Sequence, residues 1–155
     1  MQNFSNSHQI RKATNDDYDH IWNLHECLFR SHIEQIWGWH DDWQQENFAK
    51  NWSSSETSVI VSQEKIIGYL QIVREPDHIF LKNLGLHPLF QNQGIGQRVM
   101  NYLMKMAQSF KVPIKLSVFK TNPRAERFYM QLGFKKDEKV GQFQNMIWRY
   151  PSNGK

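Results

Sequence analysis

Gln91, Asn92, Gln93, Gly94, Ile95 and Gly96 stand between an apolar run and a long helical pattern. The run covers residues 79–86 and closes on His87-Pro88; the helical pattern extends to about Phe110. A strand, a short polar turn with two glycines and a helix together make a backbone anion site. The first turn of a helix leaves N–H groups without internal partners, and these can bind phosphate. Small residues let a bulky diphosphate approach them. The same six residues are equally compatible with a turn and a tight helix start. A nucleoside-triphosphate loop needs Gly-Lys-Ser or Gly-Lys-Thr, and Gln97-Arg98-Val99 does not supply it. A dinucleotide fingerprint needs a small residue where Val99 stands.

A second group of residues lies downstream. Asn122 before Pro123 is a helix start: the side chain can accept from a first-turn N–H, and proline gives up only an N–H that would be unpaired there. Ala125, Phe128 and Tyr129 follow on that helix, which ends before Gly133. From the residues alone, Phe128 and Tyr129 are aromatic filling and Ala125 is a helix former.

The elements that must position these groups can be read by periodicity. Residues 8–13 form a first strand. Asn15 or Asp16 caps a helix to about Arg30, with Ile21, Leu24 and Leu28 on one face. A second helix covers about residues 39–48 and extends toward Trp52; Trp39 with Trp43, and Phe48 with Trp52, have the i,i+4 spacing of a shared face. Residues 57–61 and 66–73 are strands joined by a tight hairpin. The fourth strand covers about residues 79–86, and the fifth covers residues 112–119. Residues 134–139 and 143–149 close the order as an antiparallel pair around Gly141. The expected order is β-α-α-β-β-β-α-β-α-β-β in a single domain, 1–155, with its core at about 8–150.

Composition bounds the function. The chain of 155 residues is 39% hydrophobic and 22% charged, which argues against disorder. No apolar stretch reaches the length of a membrane span. The first seven residues lack the basic and apolar regions of a secretory signal. The lone Cys27 excludes an intrachain disulfide and a thiolate metal cluster, and its place between Leu24 and Leu28 reads as buried packing. A reducing cytoplasm fits. His20, His25, His32 and His40 lack a zinc spacing, so no metal is expected. Residues 1–58 carry four basic and nine acidic side chains, a net of −5, against +9 for residues 59–155. The basic half holds the anion turn, and the acidic half could attract a cation.

Order and motifs together resemble the GNAT superfamily of acetyl-coenzyme A-dependent N-acetyltransferases. The resemblance covers about residues 8–150. Leu84-Gly85-Leu86-His87-Pro88 precedes Gln91-x-x-Gly94-x-Gly96, and a helix and a strand later comes Asn122-Pro123-x-Ala125-x-x-Phe128-Tyr129-x-x-x-Gly133-Phe134. The family often has Arg where Gln91 stands. That departure removes a charge and leaves the backbone donors. Trp37-Gly38-Trp39 looks like a group of small bacterial members. The implied fold is mixed α/β: a mostly antiparallel mixed sheet with splayed fourth and fifth strands and flanking helices.

The resemblance implies site residues. The coenzyme A diphosphate would rest on the backbone of Gln93, Gly94, Ile95 and Gly96, with Gln91, Asn92 and Gln97 nearby. The backbone of Leu84 and Leu86 would meet the pantetheine arm. Asn122, Ala125 and Phe128 would lie along it, and Tyr129 would sit beside the sulfur. A phenol is protonated at neutral pH and can donate as the thiolate leaves. The implied reaction is direct attack of a primary amine on acetyl-coenzyme A, with coenzyme A as product. The base is open among Glu26, Glu34, Asp41, Asp42, Glu46 and His78. Trp37, Trp39 and Trp43 could wall the acceptor pocket or anchor the helices, with one outward and two packed as the expectation.

The expected acceptor is a small-molecule or peptide amine, with a cation as one option and a homodimer as one assembly. A non-catalytic acyl-coenzyme A sensor or scaffold on the same fold is the alternative. The sequence pI of about 9.2 raises a nucleic-acid module, but no recognition helix or motif supports one. Nucleic-acid and membrane partners are not expected.

Overall fold

The computed structural model describes residues 2–3 and 8–150. Of the opening residues read for a secretory signal, 1 and 4–7 lie outside the described ones, as do residues 151–155 of the expected domain. The strands are β1 (Gln2–Asn3), β2 (His8–Lys12), β3 (Glu56–Ser62), β4 (Lys65–Arg74), β5 (Ile79–Leu86), β6 (Ile114–Phe119), β7 (Lys135–Val140) and β8 (Phe143–Trp148). The helices are α1 (Tyr18–Ile36), α2 (Asp41–Ser54), α3 (Ile95–Phe110) and α4 (Pro123–Gln131). The fourth and fifth strands of the sequence are thus β5 and β6. The chain divides into two compact units, residues 1–73 with 82–96 and residues 74–81 with 97–155.

The first unit carries the strand order β1-β2-β3-β4-β5. β1, β2, β3 and β4 pair antiparallel in succession. Gln63 and Glu64 both take positive φ (48° and 67°), the hairpin geometry that matches strand twist. Alternation along the strands puts Val59 and Tyr69 on the face covered by α1 and α2. There they pack with Ile21, Leu24 and Phe48. Each fully buried side chain of this kind stabilises by about 2 kcal/mol. Entry to α1 is fixed by Asp17, which accepts from Arg11 at 2.9 and 3.0 Å and from the Thr14 backbone at 2.8 Å. Those donors hold its carboxyl below the usual range against the opposing effect of burial.

The second unit carries β5-β6-β8-β7. The ladder of β5 with β6 is parallel and covers Ile79, Phe80 and Leu81 against Ile114, Lys115 and Leu116. It ends there, while β5 runs on to Leu86 and β6 to Phe119. β6 with β8 and β7 with β8 are antiparallel. The sheet is therefore mixed and mostly antiparallel, as expected.

Three expectations need correction. α1 continues past Arg30 to Ile36, because Arg30 pairs with Glu26 (2.7 Å) and Glu34 (3.6 Å) on successive turns, and Ile33 is buried. Cys27 is exposed, not packed: the buried stripe runs through Ile21 and Leu24, and Cys27 falls beside it. Trp39 precedes α2, so it does not share a helical face with Trp43. Phe48 and Trp52 do share one, with ring centroids 6.3 Å apart.

Candidate functional site

In the first unit the anion turn lies between β5 and α3. Asn92 and Gly94 take positive φ (63° and 81°), and Asn92, Gln93 and Gly94 are exposed. Helix α3 then starts at Ile95, with no acidic side chain in its first turn. The N–H groups of Ile95, Gly96 and Gln97 are therefore the first-turn donors that a helix leaves unpaired. A Cβ placed on Gly94 would meet nothing within 4 Å. The flank of the turn is open, and glycine is required there by the backbone angle rather than by crowding. Ile95, Val99, Met100 and Leu103 are buried and hold the helix in place.

The glutamine side chains have other work. Gln91 Nε2 donates to Leu86 O at 2.9 Å, and Gln93 Nε2 donates to Leu89 O at 2.9 Å. Each amide ties the turn to the chain before it. Gln91 thus braces the loop, and the backbone is left as the anion donor set.

Leu84 and Leu86 are half-buried on β5, and Gly85 between them is buried. A Cβ on Gly85 would lie 2.7 Å from Leu28 and 2.8 Å from Tyr69, and one on Gly68 would lie 2.5 Å from Gly85 O. These two glycines let β5 close against β4 and α1 where side chains would hold them apart.

In the second unit, Asn122 Oδ1 accepts from Ala125 N–H at 3.2 Å, the expected cap. Asn122, Ala125 and Phe128 are half-buried. Tyr129 is 8% exposed and meets Phe128 and Phe134 edge-on, with centroids 5.0 and 5.4 Å away. Burial pushes its hydroxyl above the ordinary phenol value, so it stays protonated at neutral pH. Among the described residues that hydroxyl has no hydrogen-bond partner.

Three of the carboxylates considered as bases, Glu26, Glu34 and Asp41, are engaged elsewhere. Glu26 and Glu34 flank Arg30, whose guanidinium also lies 5.2 Å over the Trp39 ring. Asp41 accepts from Trp39 Nε1. Asp42 and Glu46 are exposed, and His78 pairs with Asp77 at 2.7 Å. Trp37 and Trp43 are 53% and 59% exposed, while Trp39 packs 6.1 Å from Trp22. Two tryptophans face outward and one is packed, the reverse of the expected count. Arg30 and Trp22 claim the packed position for Trp39.

Sequence reasoning missed the pair His25 and Tyr69. His25 Nδ1 and Tyr69 Oη are 2.7 Å apart. Burial lowers His25 to about 4 and raises Tyr69 well above its ordinary value. Neither residue belongs to a motif. The available signal was a polar pair at apolar positions, His25 beside Leu24 and Tyr69 within a buried strand. Among the described residues, no group of histidine, cysteine and carboxylate side chains could hold a metal ion. No described helix is long and apolar enough to cross a membrane.

Comparison with known proteins adds to this geometry. A family model described as "Acetyltransferase (GNAT) family" matches residues 18–134. The uncharacterised N-acetyltransferase YycN of Bacillus subtilis (strain 168) is 28% identical over 88 residues, 54% of this chain and 56% of that protein. The matched stretch thus spans about half the length of this curated relative. Among solved structures, the PaiA N-acetyltransferase of Thermoplasma acidophilum in complex with coenzyme A superposes with a TM-score of 0.77 at 17% identity, over 93% of this chain and 99% of that one. Naa50 of Arabidopsis thaliana, in complex with a bisubstrate analogue joining coenzyme A to a peptide, superposes with a TM-score of 0.70 at 16% identity, over 93% and 99%. A GNAT family acetyltransferase of Elizabethkingia anophelis with acetyl-CoA bound gives 0.68 at 15%, over 94% and 100%. At these identities the likeness to the solved structures is one of fold.

Proposed function

We propose, from the premise that this chain belongs to the acetyltransferase (GNAT) family, that it moves an acetyl group from acetyl-coenzyme A to a primary amine. The observation that carries the reading is the turn at Asn92 and Gly94. It has two left-handed residues, an open flank and a helix start free of carboxylates. That donor set fits a diphosphate. Gln93, Gly94, Ile95 and Gly96 would hold it through their N–H groups, with Gln91, Asn92 and Gln97 around them. The backbone of Leu84 and Leu86 would hold the pantetheine arm; Asn122, Ala125 and Phe128 are assigned to cofactor binding by the motif they form.

Acetyl-coenzyme A supplies an activated thioester, so no enzyme nucleophile and no metal are needed. The protein's part is to orient the amine, donate hydrogen bonds to the carbonyl oxygen and return a proton to the sulfur. Tyr129 is assigned the last role. Its phenol keeps its proton, and no described residue competes for it. The acceptor is a small-molecule or peptide amine, drawn in its ammonium form toward the acidic residues of 1–58. The activity is assigned to one domain working in the cytoplasm.

The test is a screen of primary amines with acetyl-coenzyme A, read by release of free thiol. Monoamines, polyamines, amino acids and peptide termini make up the panel. Amine-dependent release is expected, falling with added salt for a dicationic acceptor. Protein that binds coenzyme A yet releases no thiol with any amine of the panel would turn the reading to the sensor alternative.

A further inference from the structure

The sheet face under α1 and α2 buries polar groups where apolar ones would pack at less cost. Tyr69 and Gln71 alternate onto that face of β4, and both are 0% exposed. The space beside Gly85 opens onto Tyr69 and Leu28, so Gly85 faces the same way on β5, and Asn83 with it. Gln71 Nε2 donates to Thr57 Oγ1 at 3.2 Å, and Asn83 Nδ2 donates to Gln71 Oε1 at 2.8 Å. This relay fixes the Asn83 amide and leaves Asn83 Oδ1 as an unused acceptor.

One alternation along the strands stands the second polar pair. His25 is ringed by Trp22, Phe29, Phe48 and Tyr69, with centroids 6.1, 5.1, 5.0 and 6.2 Å away. Tyr69 is the one titratable group among them. The buried Tyr69 hydroxyl has no second partner among the described residues, so it donates to His25 Nδ1. The single hydrogen of the neutral ring then sits on Nε2. With burial holding His25 at about 4, the ring is neutral through the physiological range. Among the described residues, Ser55 Oγ is the buried side-chain polar atom without a hydrogen bond. Neither His25 Nε2 nor Asn83 Oδ1 has a hydrogen-bond partner among the described residues.

We infer that His25 Nε2–H and Asn83 Oδ1 form the acceptor subsite, and that they select an amine carrying a carbonyl oxygen on the adjacent carbon, an α-amino amide. The amine N–H groups donate to Asn83 Oδ1. The neighbouring carbonyl accepts from His25 Nε2–H. Amino-acid amides and peptide N-termini have this chemistry; plain alkylamines do not. Tyr69 and Gln71 are positioning residues, setting the ring tautomer and the amide orientation. The inference rests on the acetyl-transfer reading for its catalytic consequence; the binding subsite rests on the two hydrogen-bonded polar groups and the sheet face they share.

The test uses L-alaninamide and sec-butylamine, similar in size and differing in the carbonyl. In full-length protein, imidazole nitrogen NMR at pH 7 should report the Nε2–H form of His25. Its Nε2 signal should move on adding L-alaninamide and stay still with sec-butylamine. With acetyl-coenzyme A, kcat/KM should favour L-alaninamide by at least about tenfold. Asn83→Leu should erase most of that preference. Tyr69→Phe should relax the tautomer and reduce it, which separates the pair from mere packing. An Nδ1–H ring, a His25 signal indifferent to L-alaninamide, or equal use of both amines by the wild type would overturn the subsite. In that last case acetyl transfer would stand. A His25 signal that responds while neither amine releases thiol would support the subsite and count against the catalytic reading.

Discussion

Two buried tyrosines divide the molecule's chemistry. Tyr69 is fully covered, and its hydroxyl is spent on His25 at 2.7 Å. Tyr129 is nearly as covered, but its hydroxyl has no partner among the described residues. Burial raises both phenols. The difference is what each hydroxyl is free to do. Tyr69 is hydrogen-bonded to another side chain, so removing its oxygen should injure structure first. On the proposed function Tyr129 is the proton donor, so removing its oxygen should injure reaction first.

The largest effect that sharpens this contrast is kinetic. Tyr129→Phe should fold normally and lower the chemical step by about 10²–10⁴-fold, the usual worth of a positioned proton donor. Tyr69→Phe should cost about 1 kcal/mol of stability for the lost hydrogen bond. Pre-steady-state thiol release beside thermal unfolding measures both. A Tyr129→Phe protein with a wild-type chemical rate would make the two tyrosines equally structural.

Next is acid stability. His25 has a folded value of about 4 against 6.5 for an ordinary histidine. Between those values the unfolded chain binds more protons than the folded one. Stability is therefore complete above pH 6.5 and is lost as pH falls toward 4, by on the order of 3 kcal/mol from this group. Denaturant unfolding at several pH values should show the slope, and His25→Phe should flatten it. Asp17 acts the same way further down: its carboxyl is depressed, so its contribution fades as pH falls below the ordinary aspartate value.

Gly94→Val comes third. A β-branched residue at φ +81° costs about 1–3 kcal/mol of strain. The side chain itself meets open space, so coenzyme A affinity should fall through a reshaped turn. Titration with coenzyme A checks it; unchanged affinity in a folded variant would reduce Gly94 to a connector. The smallest effect is expected from Asn122→Ala, about 1 kcal/mol of stability for the lost cap. A drop in coenzyme A affinity beyond that loss would give Asn122 its second role beside the pantetheine arm.

The contrast between the tyrosines also explains what could be read in advance. Tyr129 sits in a motif with fixed spacing from Asn122 and Gly133, so local sequence carries it. β5, α3 and α4 were legible for the same reason: each has a strong period and a clear stop, as at Gly133 with φ +103°. The pair of His25 and Tyr69 joins residues 44 positions apart, and no local pattern links them. The apolar stripe of α1 is interrupted at Ser31 and His32, so its last turns leave no periodic signal in the sequence; the Arg30 ion pairs that carry it onward are side-chain geometry. β6 starts at Ile114 rather than Val112 because Pro113 has no N–H and Val112 N–H closes α3 on Ala107 O at 3.0 Å. β1 spans two residues, too short for any period to show.

The most direct test of the central claim is calorimetric titration of the full-length protein with acetyl-coenzyme A after exhaustive chelation of metals. Saturable binding is predicted, weakened in Gly94→Val and retained in Tyr129→Phe. Well-folded wild-type protein that takes up no acetyl-coenzyme A across a range of temperatures would contradict the account.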